Sequence, residues 1–156
     1  MADLIGQPFP SVRGEGLDNK PWALPADLAG KPALLLIGYR QNAQFDIDRW
    51  MLGILMAKTP VAMYEIPTIS GLLPGLVGNQ IDSGMRGGIP PEAWSSVITV
   101  YADAHHIERF TGTELGNNAR VLLLDANGTV VWAADRGYLP QLALELDARV
   151  RSMTPP

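Results

Sequence analysis

The chain has 156 residues, of which 47% are apolar and 18% charged, a balance that suits one folded domain and excludes a disordered chain. Its net charge of −4 and pI near 5.0 argue against nucleic acid or an anionic membrane as the main partner, since both select clustered Lys and Arg. It has no cysteine, so disulfides, thiolate catalysis and thiolate metal ligands are excluded together.

The opening Met1-Ala2-Asp3-Leu4-Ile5-Gly6 has neither a basic n-region nor an apolar h-region. Neither a signal peptide nor a transit peptide is expected, and the expected location is cytoplasmic. No run reaches the ~18 apolar residues of a membrane span. Residues 1–30 are rich in Gly and Pro and read as an extended arm with turns, or a short hairpin, packed on the domain. Within it, Leu24 to Gly30 reads as one helical turn ended by Gly30.

Ala33-Leu34-Leu35-Leu36-Ile37-Gly38 has no polar alternation and is expected to be a strand buried on both faces, as central parallel strands are. It feeds a helix over about 43–57, for which Asn42 is the expected N-cap. Ala43, Ile47, Trp50, Met51 and Ile54 form its inward stripe, with Phe45, Leu52 and Leu55 widening it. Asp46 and Asp48 fall in its first turns, where the helix dipole favours anions.

Residues 61–66 are the next strand, stopped by Pro67. Residues 67–96 read as a helical crossover. Ile69, Leu72, Leu73, Leu76, Ile81 and Met85 recur at helical spacing, while Gly71, Pro74, Gly75 and Gly78 weaken the local propensity. A further strand is expected over 97–101, then a short helix capped by Asp103 and carrying Ile107 and Phe110. Residues 120–124 and 129–133 read as an antiparallel pair joined through Asp125-Ala126-Asn127-Gly128. A last helix near 140–151 presents Leu139, Leu142, Leu146 and Val150 along one face, and 152–156 is a tail. The five strands are expected in one central mixed sheet with helices on both faces, an α/β three-layer fold in a single domain spanning 1–156.

Ile5-Gly6-Gln7-Pro8-Phe9-Pro10 looks like the start of peroxiredoxin-type proteins. The second half, from Val100 through Asp125-Ala126-Asn127-Gly128 to Gly137, is similar to the final ββα portion of the thioredoxin and peroxiredoxin superfamily. Within that superfamily the chain resembles mitochondrial ATP synthase assembly factors, which are thioredoxin-like chaperones. Leu122-Leu123-Leu124-Asp125 with Thr129-Val130-Val131-Trp132, Met63 to Ile66 and Met85 to Pro90 carry that resemblance.

The resemblance places the redox slot within Gln41 to Asp46, where there is no sulfur, and the superfamily's cis-proline at Ala119. Thiol oxidoreductase and peroxidase activity are therefore not expected. The expected function is a non-catalytic thioredoxin-like protein acting in protein binding or assembly, without a cofactor. The alternative is a small-molecule or anion binder, or an enzyme, using the former slot for non-thiol chemistry. Tyr39, Arg40, Asn42, Ala119 and Arg120 should converge there, with Arg40 and Arg120 available to an anion. A second candidate is an apolar patch of Leu73, Leu76, Val77 and Trp94, for a protein partner or a second copy of the chain.

Other features have plainer readings. His105 and His106 are adjacent, so on a helix they point about 100° apart and suit a solvated pair better than one metal ion. The carboxylates Asp46, Asp48 and Glu92 show no nucleophile–base constellation. Of the tryptophans, Trp50 fits the core and Trp132, on an outer strand, is the one expected to be more exposed.

Overall fold

Ala33–Gly38 is the centre of the structure, a computed structural model that describes residues 2–70, 96–112 and 116–153. All six residues are buried. In chain order the strands are β1 (Val12–Gly16), β2 (Pro21–Leu24), β3 (Ala33–Gly38), β4 (Ala62–Pro67), β5 (Ile98–Thr99), β6 (Arg120–Leu124) and β7 (Val130–Ala134). The helices are α1 (Ala43–Ala57), α2 (Ala104–Thr111) and α3 (Pro140–Met153), with 3-10 turns at Ala2–Leu4 and Ala26–Leu28.

The main sheet has the order β4-β3-β6-β7. β3 runs parallel to β4 and antiparallel to β6, and β7 closes the edge antiparallel to β6. Alternation along β3 and β6 divides the core in two. Leu34, Leu36, Val121 and Leu123 face α1 and α3 through Ile47, Trp50, Ile54, Leu146 and Val150. Leu35, Ile37, Leu122 and Leu124 face the other way, onto α2 through Ala104 and Ile107 and onto the arm through Phe9, Val12 and Leu24. The arm forms the β1–β2 hairpin and ties to the far edge, where Gly6 donates to the Val130 carbonyl at 2.8 Å and Phe9 to that of Gly128 at 2.9 Å.

The 97–101 segment departs from the expected five-stranded sheet. Ile98–Thr99 pairs antiparallel with β1, in a second sheet ordered β2-β1-β5. It reaches the main sheet through isolated parallel bridges, Glu65 to Val97 and Thr68 to Val100. Pro67 explains part of this, for it accepts from the Val100 N–H at 2.8 Å but has no N–H to continue the ladder. On the other side Gly14 lets β1 approach, since a Cβ there would lie 2.7 Å from Ile98 Cγ2.

Several side chains differ from the sequence expectation. Phe45, Leu52 and Leu55 do not widen the inward stripe but are 71%, 59% and 61% exposed. The buried arc of α1 is already filled by Ala43, Asp46, Ile47, Trp50 and Ile54. Leu139 is exposed because it precedes the first turn of α3, leaving Leu146 and Val150 to pack. Neither Asn42 nor Asp103 makes a side-chain cap; the Asp103 carboxylate instead accepts from the Arg13 N–H at 2.8 Å, holding α2 to β1. Trp132 is half-buried, edge-on to the fully buried Trp50 at 6.0 Å. In the β6–β7 turn Gly128 takes positive φ (82°), while the Asp125 carboxylate accepts from the N–H groups of Asn127 and Thr129. The crossover stripe of Leu72 to Met85 lies outside the described residues.

Candidate functional site

The candidate site is the junction where β3 feeds α1. The chain leaves the sheet at Gly38 and turns through Tyr39 to Asn42, with Ala43 and Gln44 donating to the carbonyls of Arg40 and Gln41 at 3.0 Å. With no side-chain cap at Asn42, the anchor of this end is Asp46, one turn in. Asp46 is 1% exposed. Its Oδ2 accepts from the Ala119 N–H at 2.8 Å and its Oδ1 from the Tyr138 N–H at 2.7 Å. Arg49 approaches Oδ1 at 3.4 Å from the solvent side. A carboxylate removed from water needs such charge-assisted donors. Both oxygens are thus committed to backbone, joining α1 to the start of β6 and to the segment that enters α3. Trp50, one turn on, packs edge-on to Tyr138 at 5.3 Å and seals the joint.

Across the sheet lies a second cluster. Arg120, on the α2 face of β6, is fully buried, stands 5.3 Å from the centre of the Tyr39 ring, and donates through Nη1 to the Asn118 carbonyl at 3.2 Å. The Tyr39 hydroxyl bonds to Thr111 Oγ1 and to the Ile107 carbonyl of α2. Burial pushes the Tyr39 hydroxyl up to about 12, against the smaller opposing effects of the Thr111 bond and Arg120.

The third feature is Glu65 on β4, in register with Leu36 and therefore on the α1 face. It is buried, and desolvation raises its carboxyl to about 7. A hydrogen bond from Gln44 opposes the rise and the negative Asp48 adds to it. Gln44 also donates to Asp48 at 2.8 Å, so the first two turns of α1 lie over Glu65.

The expected groove residues therefore divide. Tyr39 and Arg120 form the buried cluster against α2. Ala119 is buried on the α1 face and offers its backbone N–H to Asp46. Arg40 and Asn42 are exposed, and Arg40 lies across Gly116, where a Cβ would come 3.1 Å from its Nε. Leu73, Leu76, Val77 and Trp94 lie outside the described residues. His105 and His106 are exposed, their ring centres 4.0 Å apart, and His106 lines a surface cleft of about 290 Å³ with Pro10, Arg109 and Phe110. Among the described residues the cis peptide is Leu24–Pro25, and Ala119 follows an ordinary trans bond.

The sequence pattern marked Asp46 only as an acid favoured by the helix dipole and gave Glu65 and Thr111 no role. A signal for Asp46 was present: it occupies the same arc of α1 as Ala43 and Trp50, so a carboxylate there had to be buried and paired.

No protein-family model matches the chain, and no curated protein matches it. Solved structures do. Copper-bound yeast Sco1 is 15% identical with a TM-score of 0.63, the match covering 97% of this chain and 96% of that one. BsSco, described as a member of the Sco family of cytochrome c oxidase assembly proteins, is 9% identical with a TM-score of 0.63, covering 97% and 98%. The exposed lipoprotein thioredoxin Etrx1 of Streptococcus pneumoniae is 12% identical with a TM-score of 0.59, covering 90% and 99%. At these identities the likeness shows the fold, which is thioredoxin-like, with a central mixed sheet flanked, among the described residues, by three helices. The slot has no cysteine, and no group of three His, Asp or Glu side chains suited to a metal occurs among the described residues.

Proposed function

We propose that this chain is a non-catalytic, thioredoxin-like protein-binding module. The observation that carries the reading is Asp46. Within Gln41 to Asp46, where the resemblance puts the redox slot, the chain carries the buried carboxylate of Asp46, each of whose oxygens accepts from a backbone N–H. Buried and bonded to two distant backbone groups, it serves this reading as a structural joint rather than as a reacting group. What remains for function is the surface.

An assembly role is the finer form of this reading. It rests on the sequence strings of β6 and β7, on those of 63–66 and 85–90, and on the name borne by BsSco. The alternative, an anion site at the mouth of the slot, draws on exposed Arg40 beside the start of α1. Affinity capture from the native host with mass spectrometry, followed by calorimetry on each purified candidate, tests the proposal. A stoichiometric protein complex supports it. Absence of any such complex, together with a melting-temperature rise in phosphate that Arg40→Ala removes, would replace it with the anion reading.

A further inference from the structure

Arg109 and His106 line a cleft in which neither has a partner. The cleft, of about 290 Å³, lies between α2 and the arm, with His106, Arg109 and Phe110 from the helix and Pro10 from the arm. At 100° per residue His106 and Phe110 are about 40° apart, and Arg109 is about 60° to the other side of His106, so the three share one arc of α2. His106 and Arg109 are exposed, and among the described residues neither side chain makes a hydrogen bond or an ion pair. The neighbouring acids are engaged elsewhere. Glu108 lies about 160° from His106, on the side where its charge acts on Tyr39. The Asp103 carboxylate accepts from the Arg13 N–H at 2.8 Å.

The walls are held on both sides of Pro10. Phe9, 3% exposed, meets Phe110 edge-on at 5.9 Å, and three residues beyond Pro10 the Arg13 N–H is tied to Asp103 at the start of α2. The proline ring fixes its own φ between these two points. His105 leans on His106 with ring centres 4.0 Å apart. A cleft formed in advance spares a ligand the cost of ordering it.

We infer that this cleft binds a small aromatic carboxylate, its ring against Phe110 and Pro10 and its carboxylate between Arg109 and His106. The inference goes beyond the protein-binding reading and does not depend on it. The guanidinium is a planar fork that matches two carboxylate oxygens, and an imidazole donates an N–H in either protonation state. Phe110 and Pro10 give a flat ring an apolar floor. At the ~30 Å³ that one water occupies in the liquid, the cleft holds about ten non-hydrogen atoms, the size of a benzoate and well short of a nucleotide. A bare inorganic anion would leave the floor uncovered, a neutral ring would leave the guanidinium unmatched, and a metal cation would be repelled by it.

Titration of the full, isotope-labelled chain with benzoate, followed by backbone amide shifts, tests the inference. Binding should saturate with a dissociation constant on the order of 1 mM, and the shifts should centre on Ser11, His106, Arg109 and Phe110. Acetate, which lacks the ring, and benzyl alcohol, which lacks the charge, should each bind at least about tenfold more weakly. Arg109→Ala should weaken benzoate about 10- to 100-fold, and Arg109→Lys, which keeps the charge without the fork, by a smaller factor. Arg109 is exposed and unpaired, so circular dichroism and melting of both variants should match wild type. No saturable binding of benzoate, shifts centred elsewhere, or undiminished affinity in Arg109→Ala would each overturn the inference. So would acetate binding as well as benzoate, which would reduce the site to a surface cation, or benzyl alcohol doing so, which would reduce it to an apolar patch.

Discussion

The Asp46 carboxylate and the Ala119 N–H, 73 residues apart in sequence, meet at 2.8 Å in the buried joint between α1 and the start of β6. With the Tyr138 N–H at 2.7 Å on the other oxygen, one side chain fixes three segments. Asp46→Ala strands one buried and one half-buried backbone donor, each costing about 1–3 kcal/mol. The expected loss is about 2–5 kcal/mol, or a fall in melting temperature of about 5–15 °C. Asp46→Asn should recover only part of it, because its amide turns a donor toward one of the two N–H groups. Thermal melts of the three proteins check this; an Ala variant within about 1 kcal/mol of wild type would show that the joint is held by packing alone.

At the other end of α1 the side chain of Arg151 reaches the carbonyls of Ala57 and Lys58 at 3.3 and 3.2 Å and the Asp147 carboxylate at 2.9 Å. The bonds from Arg151 and then Thr59 hold the Asp147 carboxyl below its ordinary value of 3.8. That contribution is present above the unfolded value and is lost as pH falls through the folded one. Arg151 is 51% exposed, so screening limits the effect, and Arg151→Ala should cost under about 1 kcal/mol at neutral pH. An NMR titration should show the Asp147 carboxyl moving up toward its ordinary value in the variant; an unmoved carboxyl would assign the depression to Thr59.

The layered α/β fold was legible because its strongest signals are local. Ala33 to Gly38 has no polar residue to place on a solvent face, and Gly128 is the residue that takes positive φ in its turn. The joint was not legible, because the partners of Asp46 lie 73 and 92 residues away and are backbone groups that carry no side-chain signature. The outer stripe of α1 was misread for a different reason. Periodicity reports that Phe45, Leu52 and Leu55 recur on a helix, but when both sides are apolar it does not say which one meets the sheet. Likewise Asn42 and Asp103 have the composition of caps, yet the Asp103 carboxylate is drawn to the Arg13 N–H by tertiary contact.

Gly128 and Gly6 separate two costs that a glycine substitution combines. Both have positive φ, 82° and 89°. A Cβ on Gly6 meets nothing within 4 Å, whereas one on Gly128 would lie 2.8 Å from Cγ of Pro25, a rigid ring. Gly6→Ala should therefore cost the conformational term alone, about 1 kcal/mol, and Gly128→Ala that term plus the clash, at least about 2 kcal/mol. Urea denaturation of the two variants gives the difference; equal losses would mean that the Pro25 turn yields freely.

Glu65 sets the last prediction, on pH. Its carboxyl is raised from 4.5 to about 7, first by burial and then by Asp48, against the Gln44 hydrogen bond. A folded value above the unfolded one means that the native state favours the protonated acid. The stability this gives is complete below about 4.5 and drains away as pH rises through about 7. At pH 8 the native chain holds a buried carboxylate facing a like charge, at a cost of up to about 3 kcal/mol. Glu65→Gln keeps the size of the side chain and its capacity to bond Gln44 but carries no charge. It should be close to wild type in stability at pH 4.5 and more stable at pH 8, with the gap opening between those limits. The difference between the two proteins is the quantity to measure, since every other titrating group is common to both. A gap that stays flat from pH 4.5 to 8, or that closes as pH rises, would show that Glu65 is ionised in the folded chain at the ordinary carboxylate value and that water reaches it between β4 and the first turns of α1.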